Sequence, residues 1–242
     1  AFANLVPEVF AFNLQFLFSD VKHLGRLLKN PPEVVKKWYK KFEDKDLVVV
    51  GAWTRPPRQL INNVRPVKTP EDIKGLKFRV PPLPIFVKVF EAMGAKPVPL
   101  PSGEIYTAIQ LGTVSGEDNS VGTVYDFKTY EVTKYMTIWN YMGDVVLVVM
   151  NKPFWEKLPK DVQALITKAV SEAGDIVAER EEELEKSATA KMKQAGIQFY
   201  YMSDKEKEPF KKLMKPIYDE YEKLLGPADW KAYLEAIEAV RQ

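Results

Sequence analysis

The sequence predicts an α/β fold in which two lobes exchange chain segments. Short apolar segments with the length of strands alternate with amphipathic helical segments, which is typical of a mainly parallel sheet. One long helical pattern, residues 160–196, follows a strand and has short strands on either side of it. We place the first lobe at residues 1–56 plus 145–184 and the second lobe at residues 57–144 plus 185–242.

Helix-capping residues, prolines and glycines mark where the predicted elements begin and end. Ser and Thr bind the free N–H groups of a first turn, Pro fits the first helical position, and Gly often ends a helix. In order, we predict a helix capped by Ser19, a helix opened by Pro31 and Pro32, a strand over 47–53, a helix capped by Thr69, a strand over 77–80, helices closed by Gly94 and Gly112, a buried strand over 145–150, the long helix, a strand over 197–202, a helix with a capping box at Ser203, and a last helix after Gly226.

Composition excludes several classes of function. The 242 residues carry 35 Lys and Arg against 33 Asp and Glu, so a net charge of +2 provides no general attraction to nucleic acid or anionic membranes. The absence of Cys excludes disulfides and thiol chemistry. His23 is the only histidine, and we interpret it as an exposed or helix-capping residue. Because common enzyme signatures such as GxSxG and the P-loop are also missing, we expect no enzyme, no metal site and no cofactor.

The beginning of the chain has two notable features. Residues 1–18 are apolar but carry Glu8 and lack a basic region, so we do not interpret them as a signal peptide. No apolar run approaches the roughly 18 residues that a membrane-spanning helix needs. The first lobe starts with a loop and two helices before its first clear strand. We therefore expect that opening β–α units are missing from this chain.

Arg79 is the strongest candidate for a binding residue. It lies near the end of the predicted strand 77–80, just before two prolines, and strand alternation puts it on the face opposite Phe78 and Val80. Ligands of α/β proteins bind at the carboxyl ends of strands. A guanidinium there can clamp a carboxylate with two parallel hydrogen bonds. The alternative is an intramolecular salt bridge to an Asp or Glu, and residue type alone does not decide between the two.

Two further polar residues could assist Arg79. Asn119 lies in the segment "SGEDNS", which we interpret as a polar turn, and its amide could bind the same anion or could fix its own loop. Glu117 and Asp118 beside it could form a metal or acid–base site, but a polar turn is the simpler interpretation. Arg58 is the third candidate, with a surface loop arginine as the alternative.

Several aromatic residues and one acid complete the set of candidates. The aromatic candidates follow or flank strand-like segments; they are Trp53, Tyr125, Trp139 and Tyr141. Most of them belong to the core, and one or two could line the bottom of a ligand pocket. Glu104 is included as a residue lining the site. A titration of Glu104 or Glu117 near neutral pH would favour an enzyme instead.

A long part of the chain resembles the solute-binding proteins of TRAP transporters, the tripartite ATP-independent periplasmic transporters. The resemblance is centred on "NNVRPVKTPEDIKGLKFRVPPLPIFVKVFEAMGAKPVPLPSGEIYTAIQLGTVSGEDNS". It continues through "KTYEVTKYMTIWN" and "NKPFWEKLPKDVQ" and reaches back to "LVPEVFAFNLQFLF", so that it covers nearly the whole chain.

The resemblance implies a fold and a set of roles. It implies two α/β lobes of the periplasmic binding protein type, with a ligand cleft between them and a long bridging helix. By position in the family's motifs, Arg79 pairs with a substrate carboxylate, and Asn119 and Arg58 make further polar contacts. The family also has a signal peptide and opening β–α units before the point where this chain starts.

Departures from the family's motifs bear on the substrate. The family's "DGQENP" turn is "SGEDNS" here, so that Glu117 and Asp118 replace Gln and Glu. An added acid disfavours a second carboxylate on that side. Pro56 and Pro57 replace a Gly and an aromatic residue, and Tyr141 replaces a frequent His. We therefore expect a monocarboxylate with an apolar or aromatic body rather than a small C4-dicarboxylate.

The sequence thus predicts an extracytoplasmic or periplasmic receptor that delivers an organic acid anion to the membrane permease subunits of a TRAP transporter. It predicts no nucleic-acid partner and no membrane-spanning segment. The alternative is a structural or interaction protein, or a fragment, on the same fold. An enzyme acting in the cleft is less favoured.

Overall fold

The computed structural model describes residues 5–241 as an assembly of helices and strands with short connections. The strands are β1 (Leu47–Asn62), β2 (Lys77–Val80), β3 (Lys96–Pro99), β4 (Gly116–Asn119), β5 (Tyr135–Asn151) and β6 (Gln198–Tyr201). The helices are α1 (Val21–Lys29), α2 (Glu33–Lys40), α3 (Pro70–Ile73), α4 (Pro84–Ala92), α5 (Ile105–Gln110), α6 (Val121–Asp126), α7 (Lys152–Lys157), α8 (Lys160–Gln194), α9 (Asp204–Leu213), α10 (Lys215–Leu225) and α11 (Pro227–Ala239).

The six strands of the described residues form one sheet in the order β3-β2-β4-β1-β5-β6. Strand β2 pairs in parallel with both β3 and β4, and β5 pairs in parallel with β6, whereas β1 is antiparallel to β4. The predicted α/β fold is confirmed. The parallel pairing brings the carboxyl ends of β2, β3 and β4 to one edge of the sheet, at Val80, Pro99 and Asn119.

The chain divides into two compact units. The first comprises the chain up to Pro56, Met142–Glu181 and the segment from Glu220 onward, and the second comprises Pro57–Tyr141 and Glu182–Asp219. Both this division and the sequence-based one cut the chain after Pro56. The sequence-based division assigned residues 220–242 to the second lobe, whereas the structure groups the segment from Glu220 onward with the first unit.

Aromatic packing explains where the C-terminal segment lies. The ring centroids of Trp38 on α2 and Tyr233 on α11 are 4.9 Å apart, and the Tyr233 hydroxyl donates to the carbonyl oxygen of Ala11 at 3.0 Å. Trp38 and Tyr233 are almost fully buried. Large aromatic side chains dominate the energy of a core, so these contacts hold α11 in the first unit.

His23 is fully buried, so the exposed alternative of its sequence-based interpretation is wrong. Its Nε2 lies 2.8 Å from the carbonyl oxygen of Ile237, and its Nδ1 accepts the backbone N–H of Ser19 at 3.2 Å. The cap of α1 is also one residue later than predicted. Asp20, not Ser19, accepts the hydrogen bond from the first turn of the helix, from the His23 N–H at 2.8 Å.

Two other predicted helix starts are confirmed. Thr69 and Asp72 form a capping box at α3, and Ser203 and Glu206 form one at α9, each pair satisfying N–H groups that have no partner within the helix. The long predicted helix is α8. No helix in the described part of the chain combines the length and the apolar character needed to cross a membrane.

Several segments differ from the sequence-based prediction. The strand expected over 145–150 is only the last part of β5, which begins at Tyr135. Strand β1 continues for nine residues beyond the predicted end at Trp53, through Pro56 and Pro57. The segment interpreted as a polar turn contains strand β4, whose four residues are all buried. In the opening segment, residues 1–4 lie outside the described residues, and Pro7–Asn13 form a 3-10 helix with Phe10 and Phe12 buried.

Candidate functional site

Arg79 lies on β2 in the second unit with only 4% of its surface exposed. Its Nε donates to the carbonyl oxygen of Leu100 at 2.8 Å, just past the end of the parallel neighbour β3. Its strand neighbours Phe78 and Val80 are fully buried, and Phe78 packs on Phe90 of α4 at 5.6 Å between ring centroids. This packing fixes β2, and the Leu100 carbonyl orients the guanidinium.

The guanidinium of Arg79 is not ion-paired within the part of the chain that the structure describes. Its two terminal nitrogens are not among the fully buried atoms that lack a partner. Burial lowers the pKa of the guanidinium, and the charges of Glu117 and Asp118 oppose that effect. Arg remains protonated in proteins. A charged, largely buried guanidinium that has no ion-pair partner among the described residues is therefore present at the carboxyl edge of β2.

Strand β4 lies next to β2 and carries the two acids that the sequence analysis placed in a turn. Arg79 is the register partner of Glu117 on this parallel strand. Successive side chains of a strand point to opposite faces. Glu117 therefore shares the face of Arg79, while Asp118 points to the other face.

Asp118 is fully buried and binds Arg58. Arg58 Nε donates to Asp118 Oδ2 at 2.5 Å, and its Nη2 donates to the Asp118 carbonyl oxygen at 2.6 Å. The Tyr141 hydroxyl donates to the same Oδ2 at 2.6 Å, and the Arg58 guanidinium lies 5.1 Å from the ring centroid of Phe86. Arg58 is thus a buried strand residue, and the alternative of a surface loop arginine is wrong.

Glu117 is also fully buried, but its partners are uncharged. Its Oε1 accepts the Thr129 hydroxyl at 2.5 Å and its Oε2 accepts Asn119 Nδ2 at 3.1 Å. Burial raises the pKa of the Glu117 carboxyl, against the opposing effects of these two hydrogen bonds and of the Arg79 charge. Two carboxylates on one short strand are thus stabilised in two different ways, one by an ion pair and one by neutral donors.

Asn119 ends β4 on the same face as Glu117 and Arg79. It is 8% exposed, and its register partner on β1 is Gln59. The Gln59 amide is fully engaged, because its Nε2 donates to Asn140 Oδ1 at 2.6 Å and its Oε1 accepts the Trp139 and Asn140 N–H groups. Asn119 therefore stands beside a fixed neighbour, with part of its amide accessible.

Two of the aromatic candidates belong to the core. Trp139 and Tyr141 are fully buried, with their ring centroids 4.6 Å apart, and Trp139 packs edge-on against Phe210 at 5.3 Å. Neither ring is open to a ligand in this structure. Tyr141 contributes through its hydroxyl, which binds Asp118.

The three remaining candidates have surroundings of their own. Tyr125 on α6 stacks on Tyr130 at 5.4 Å, and the Lys191 ammonium lies 5.1 Å from its ring centroid. Trp53 belongs to the first unit, where it packs against Gly174 of α8. Glu104 is exposed in the 3-10 turn Ser102–Glu104 before α5.

Sequence reasoning missed three groups that shape the cluster. The Leu100 carbonyl, the Thr129 hydroxyl and the Gln59 amide each bind a residue far away in the chain. A backbone carbonyl leaves no signal in a sequence, and isolated Thr and Gln residues are too common to single out. A polar residue in an otherwise apolar strand, as Gln59 is before Leu60 and Ile61, is the one available hint.

Taken together, these residues form a candidate anion site: an arginine oriented by a backbone carbonyl and a neighbouring amide, with both acids already held by other groups. The fold and this cluster define an α/β protein with a buried polar cluster at the carboxyl edge of its parallel strands. The family model for bacterial extracellular solute-binding proteins, family 7, matches residues 1–224. The chain belongs to this family.

Individual relatives agree with this assignment. The chain is 30% identical over 197 residues to the 2,3-diketo-L-gulonate-binding periplasmic protein of Escherichia coli, covering 81% of this chain and 60% of that protein. A TRAP periplasmic solute-binding protein from Ochrobactrum anthropi superimposes with a TM-score of 0.91 at 31% identity, over 99% of this chain and 74% of that one. A TRAP periplasmic solute-binding protein from Desulfovibrio salexigens, with bound orotic acid, superimposes with a TM-score of 0.88 at 28% identity, over 99% of this chain and 78% of that one.

The chain is shorter than these proteins. It spans 64% of a Haemophilus influenzae relative to which it is 30% identical over 213 residues, and 60% of the Escherichia coli protein.

Proposed function

We propose that this chain captures an organic acid anion and delivers it to a TRAP-type transporter. Arg79 pairs with the carboxylate, and Asn119 adds a hydrogen bond from the neighbouring strand. The bound molecules named for related proteins, orotic acid among them, support an acidic ligand.

One observation carries this proposal. Arg79 is 4% exposed, its Nε is held by the Leu100 carbonyl, and no carboxylate of the described chain neutralises it. Leaving a charge largely buried and unpaired costs several kcal/mol. A bound carboxylate offsets that cost, because the two remaining nitrogens of the fork match its two oxygens.

The cluster favours a ligand with one carboxylate at this position and an uncharged remainder beside it. Arg58 already donates two hydrogen bonds to Asp118 and supplies no net positive charge for a second anionic group. Glu117 faces the Arg79 side of the sheet and, whenever it is ionised, repels a second anionic group. This supports the monocarboxylate expected from the sequence and makes Arg58 a residue that shapes the site more than one that binds the anion.

We further propose that the protein works outside the cytoplasm and that its partners are the membrane permease subunits of the transporter. The family is one of extracellular solute-binding proteins, and the named relatives are periplasmic, which supports both statements. No catalytic role is proposed, because the carboxylates of Glu117 and Asp118 are both held by hydrogen bonds within the chain.

The proposal is tested first by native mass spectrometry of the purified protein, repeated under denaturing conditions. A small adduct that disappears on denaturation identifies a bound acid by its mass. Calorimetric titrations with orotate, benzoate, D-galacturonate and succinate then rank the class of ligand. We expect the monocarboxylates to bind more tightly than succinate.

The decisive variants are Arg79→Ala and Arg79→Lys. Each should weaken binding by at least about 30-fold, the equivalent of roughly 2 kcal/mol, because the planar two-donor fork is lost. Arg65→Ala is the matched control: Arg65 also binds backbone carbonyls in the second unit, at Asp72 and Lys74, but has no place in the site. Unchanged affinity in the Arg79 variants would remove Arg79 from the site. An adduct-free protein that binds none of the acids would favour a structural or interaction role instead.

A further inference from the structure

Glu117 is a buried acid that simple carboxylate capture does not use. It is the register partner of Arg79 on the same face of the sheet and is completely enclosed. An ionised carboxylate beside an anion site repels the bound anion, unless the carboxylate takes up a proton. Three features of the surroundings of Glu117 favour its protonation when an anion binds.

The first provision is the charge balance on this face. Arg79 on β2 is the cation that acts on Glu117, and Asp118 on its own strand is the acid that acts on it. Asp118 is balanced by Arg58. The other adjacent strand, β1, presents the apolar Ile61 as register partner. Before a ligand arrives, this face thus carries one cation, Arg79, and one acid, Glu117, which influence each other electrostatically but are not joined by an ion pair or a hydrogen bond.

A ligand carboxylate upsets this balance. Two carboxylates would then share the single charge of Arg79 in a largely buried setting, where like charges repel strongly. Protonation of Glu117 relieves this repulsion at the lowest cost in free energy, because burial already disfavours its ionised form. Burial raises the pKa of Glu117, as it does for any carboxyl removed from water.

The second provision is a partner that can reverse its hydrogen bond. The Thr129 hydroxyl donates to Glu117 Oε1 at 2.5 Å, and the carbonyl oxygen of Val124 lies 3.4 Å from the same hydroxyl. A hydroxyl is both donor and acceptor. When Glu117 carries a proton, it can donate to the Thr129 oxygen, which in turn donates to the Val124 carbonyl. Both protonation states of Glu117 are therefore satisfied without moving the backbone.

The third provision is the link to Asn119. Glu117 Oε2 accepts one N–H of the Asn119 amide at 3.1 Å, which fixes the orientation of that amide and leaves its second N–H for another acceptor. Glu117 therefore acts on the proposed ligand contact through Asn119. It is a positioning residue.

We propose, building on the carboxylate site described above, that capture of an organic acid anion at Arg79 is coupled to the uptake of one proton from solvent at Glu117, with Thr129 reversing its hydrogen bond. The receptor then takes up an anion and a proton together, with little change of net charge in the site. Affinity should fall as the pH rises above the pKa of Glu117 in the free protein.

The test is calorimetry with the four acids named above at pH 5 to 9, each in two buffers of different ionisation enthalpy. For every acid that binds the wild type, we expect uptake of up to one proton and an affinity that falls by about tenfold per pH unit at the high end. Glu117→Gln should remove both effects and bind more tightly than the wild type at the high end of this pH range. Glu91→Gln, which removes an exposed acid from α4 in the same unit, should behave like the wild type.

Thr129 provides a second, independent variant. Thr129→Val removes the donor that stabilises ionised Glu117, so the pH at which affinity begins to fall should move upward, whereas Thr129→Ser should leave it in place. Parallel pH profiles for the wild type and Glu117→Gln, without proton uptake, would overturn the proposal while leaving the carboxylate site intact. If neither the wild type nor Glu117→Gln, which carries no charge at this position at any pH, binds any acid, the carboxylate site itself fails.

Discussion

Arg58 on β1 and Asp118 on β4 form a buried ion pair, joined by hydrogen bonds of 2.5 Å to the carboxylate and 2.6 Å to the carbonyl oxygen. The two residues are 60 positions apart in the chain. The pair connects antiparallel neighbours in the sheet, and it allows an acid to lie in the interior directly beside the candidate anion site.

Removing one partner of this pair should destabilise the protein strongly. Asp118→Ala leaves the Arg58 charge buried without its partner, and we expect a loss of about 3–5 kcal/mol in the free energy of unfolding. Urea denaturation measures it. The control is Asp219→Ala, which breaks the exposed pair with Lys215 and should cost about 1 kcal/mol or less. Equal effects of the two variants would contradict a buried, stabilising pair.

Tyr141 supports the same carboxylate with its hydroxyl. Tyr141→Phe should lower the free energy of unfolding by about 1.5–3 kcal/mol, the usual range for a hydrogen bond to a charged group. Burial, followed by the neighbouring charge of Asp118, raises the pKa of this phenol well above its ordinary value. Ultraviolet titration of the folded protein should therefore show no ionisation of Tyr141 in the range where an ordinary phenol ionises, at about pH 10. Tyr201→Phe, at an exposed tyrosine, serves as the control for the stability measurement.

Gly116 is required by the close approach of β4 to β1. A Cβ atom there would lie 2.0 Å from the carbonyl oxygen of Ile61 and 2.7 Å from the Cα of Asn62, and neither backbone atom can move without breaking the pairing. Gly116→Ala should cost about 3 kcal/mol or more, at the upper end of the range for overpacking. Gly103→Ala, where a Cβ meets nothing within 4 Å, should leave the thermal unfolding temperature nearly unchanged.

The capping box of α9 should make stability depend on pH at the acid end. Hydrogen bonds from Ser203 and Tyr200 lower the pKa of Glu206 from 4.5 to about 2. Because the folded state favours ionised Glu206, its contribution is fully present above pH 4.5 and is lost as the pH falls through about 2. The stability difference between the wild type and Glu206→Ala should therefore shrink over this range in urea denaturation. Glu208→Ala, at an exposed acid of the same helix outside the capping box, is the control variant.

Much of the architecture could be read from local signals. Capping boxes at Thr69 and Ser203 act within a single turn, so the residues that begin these helices also specify them. The strand around Arg79 has the same local character, with apolar neighbours on one face and prolines at its end. The cap of α1 is Asp20 and not the predicted Ser19. Both side chains can cap a helix, and only the final backbone geometry selects one of them.

The site was only partly predictable. Arg79 was singled out from its strand position and from the resemblance, and whether it binds a ligand stays a prediction. The segment containing Glu117 and Asp118 was interpreted as a turn because acids are rarely fully buried. The predicted end of β1 at Trp53 falls short of its actual end at Asn62, because prolines such as Pro56 and Pro57 are unusual within a strand.

The sequence by itself therefore determined the α/β class, the order of most elements and the family, since these follow from periodicity, capping and motifs along the chain. The tertiary structure alone decided that Glu117 and Asp118 are buried, that Arg58 is committed to Asp118, and that the Leu100 carbonyl orients Arg79. Burial of charge costs free energy unless partners compensate it. Here the compensating partners lie far away in the chain: Arg58 on β1 for Asp118, the Leu100 carbonyl after β3 for Arg79, and Thr129 for Glu117. No local pattern in the sequence could therefore reveal them.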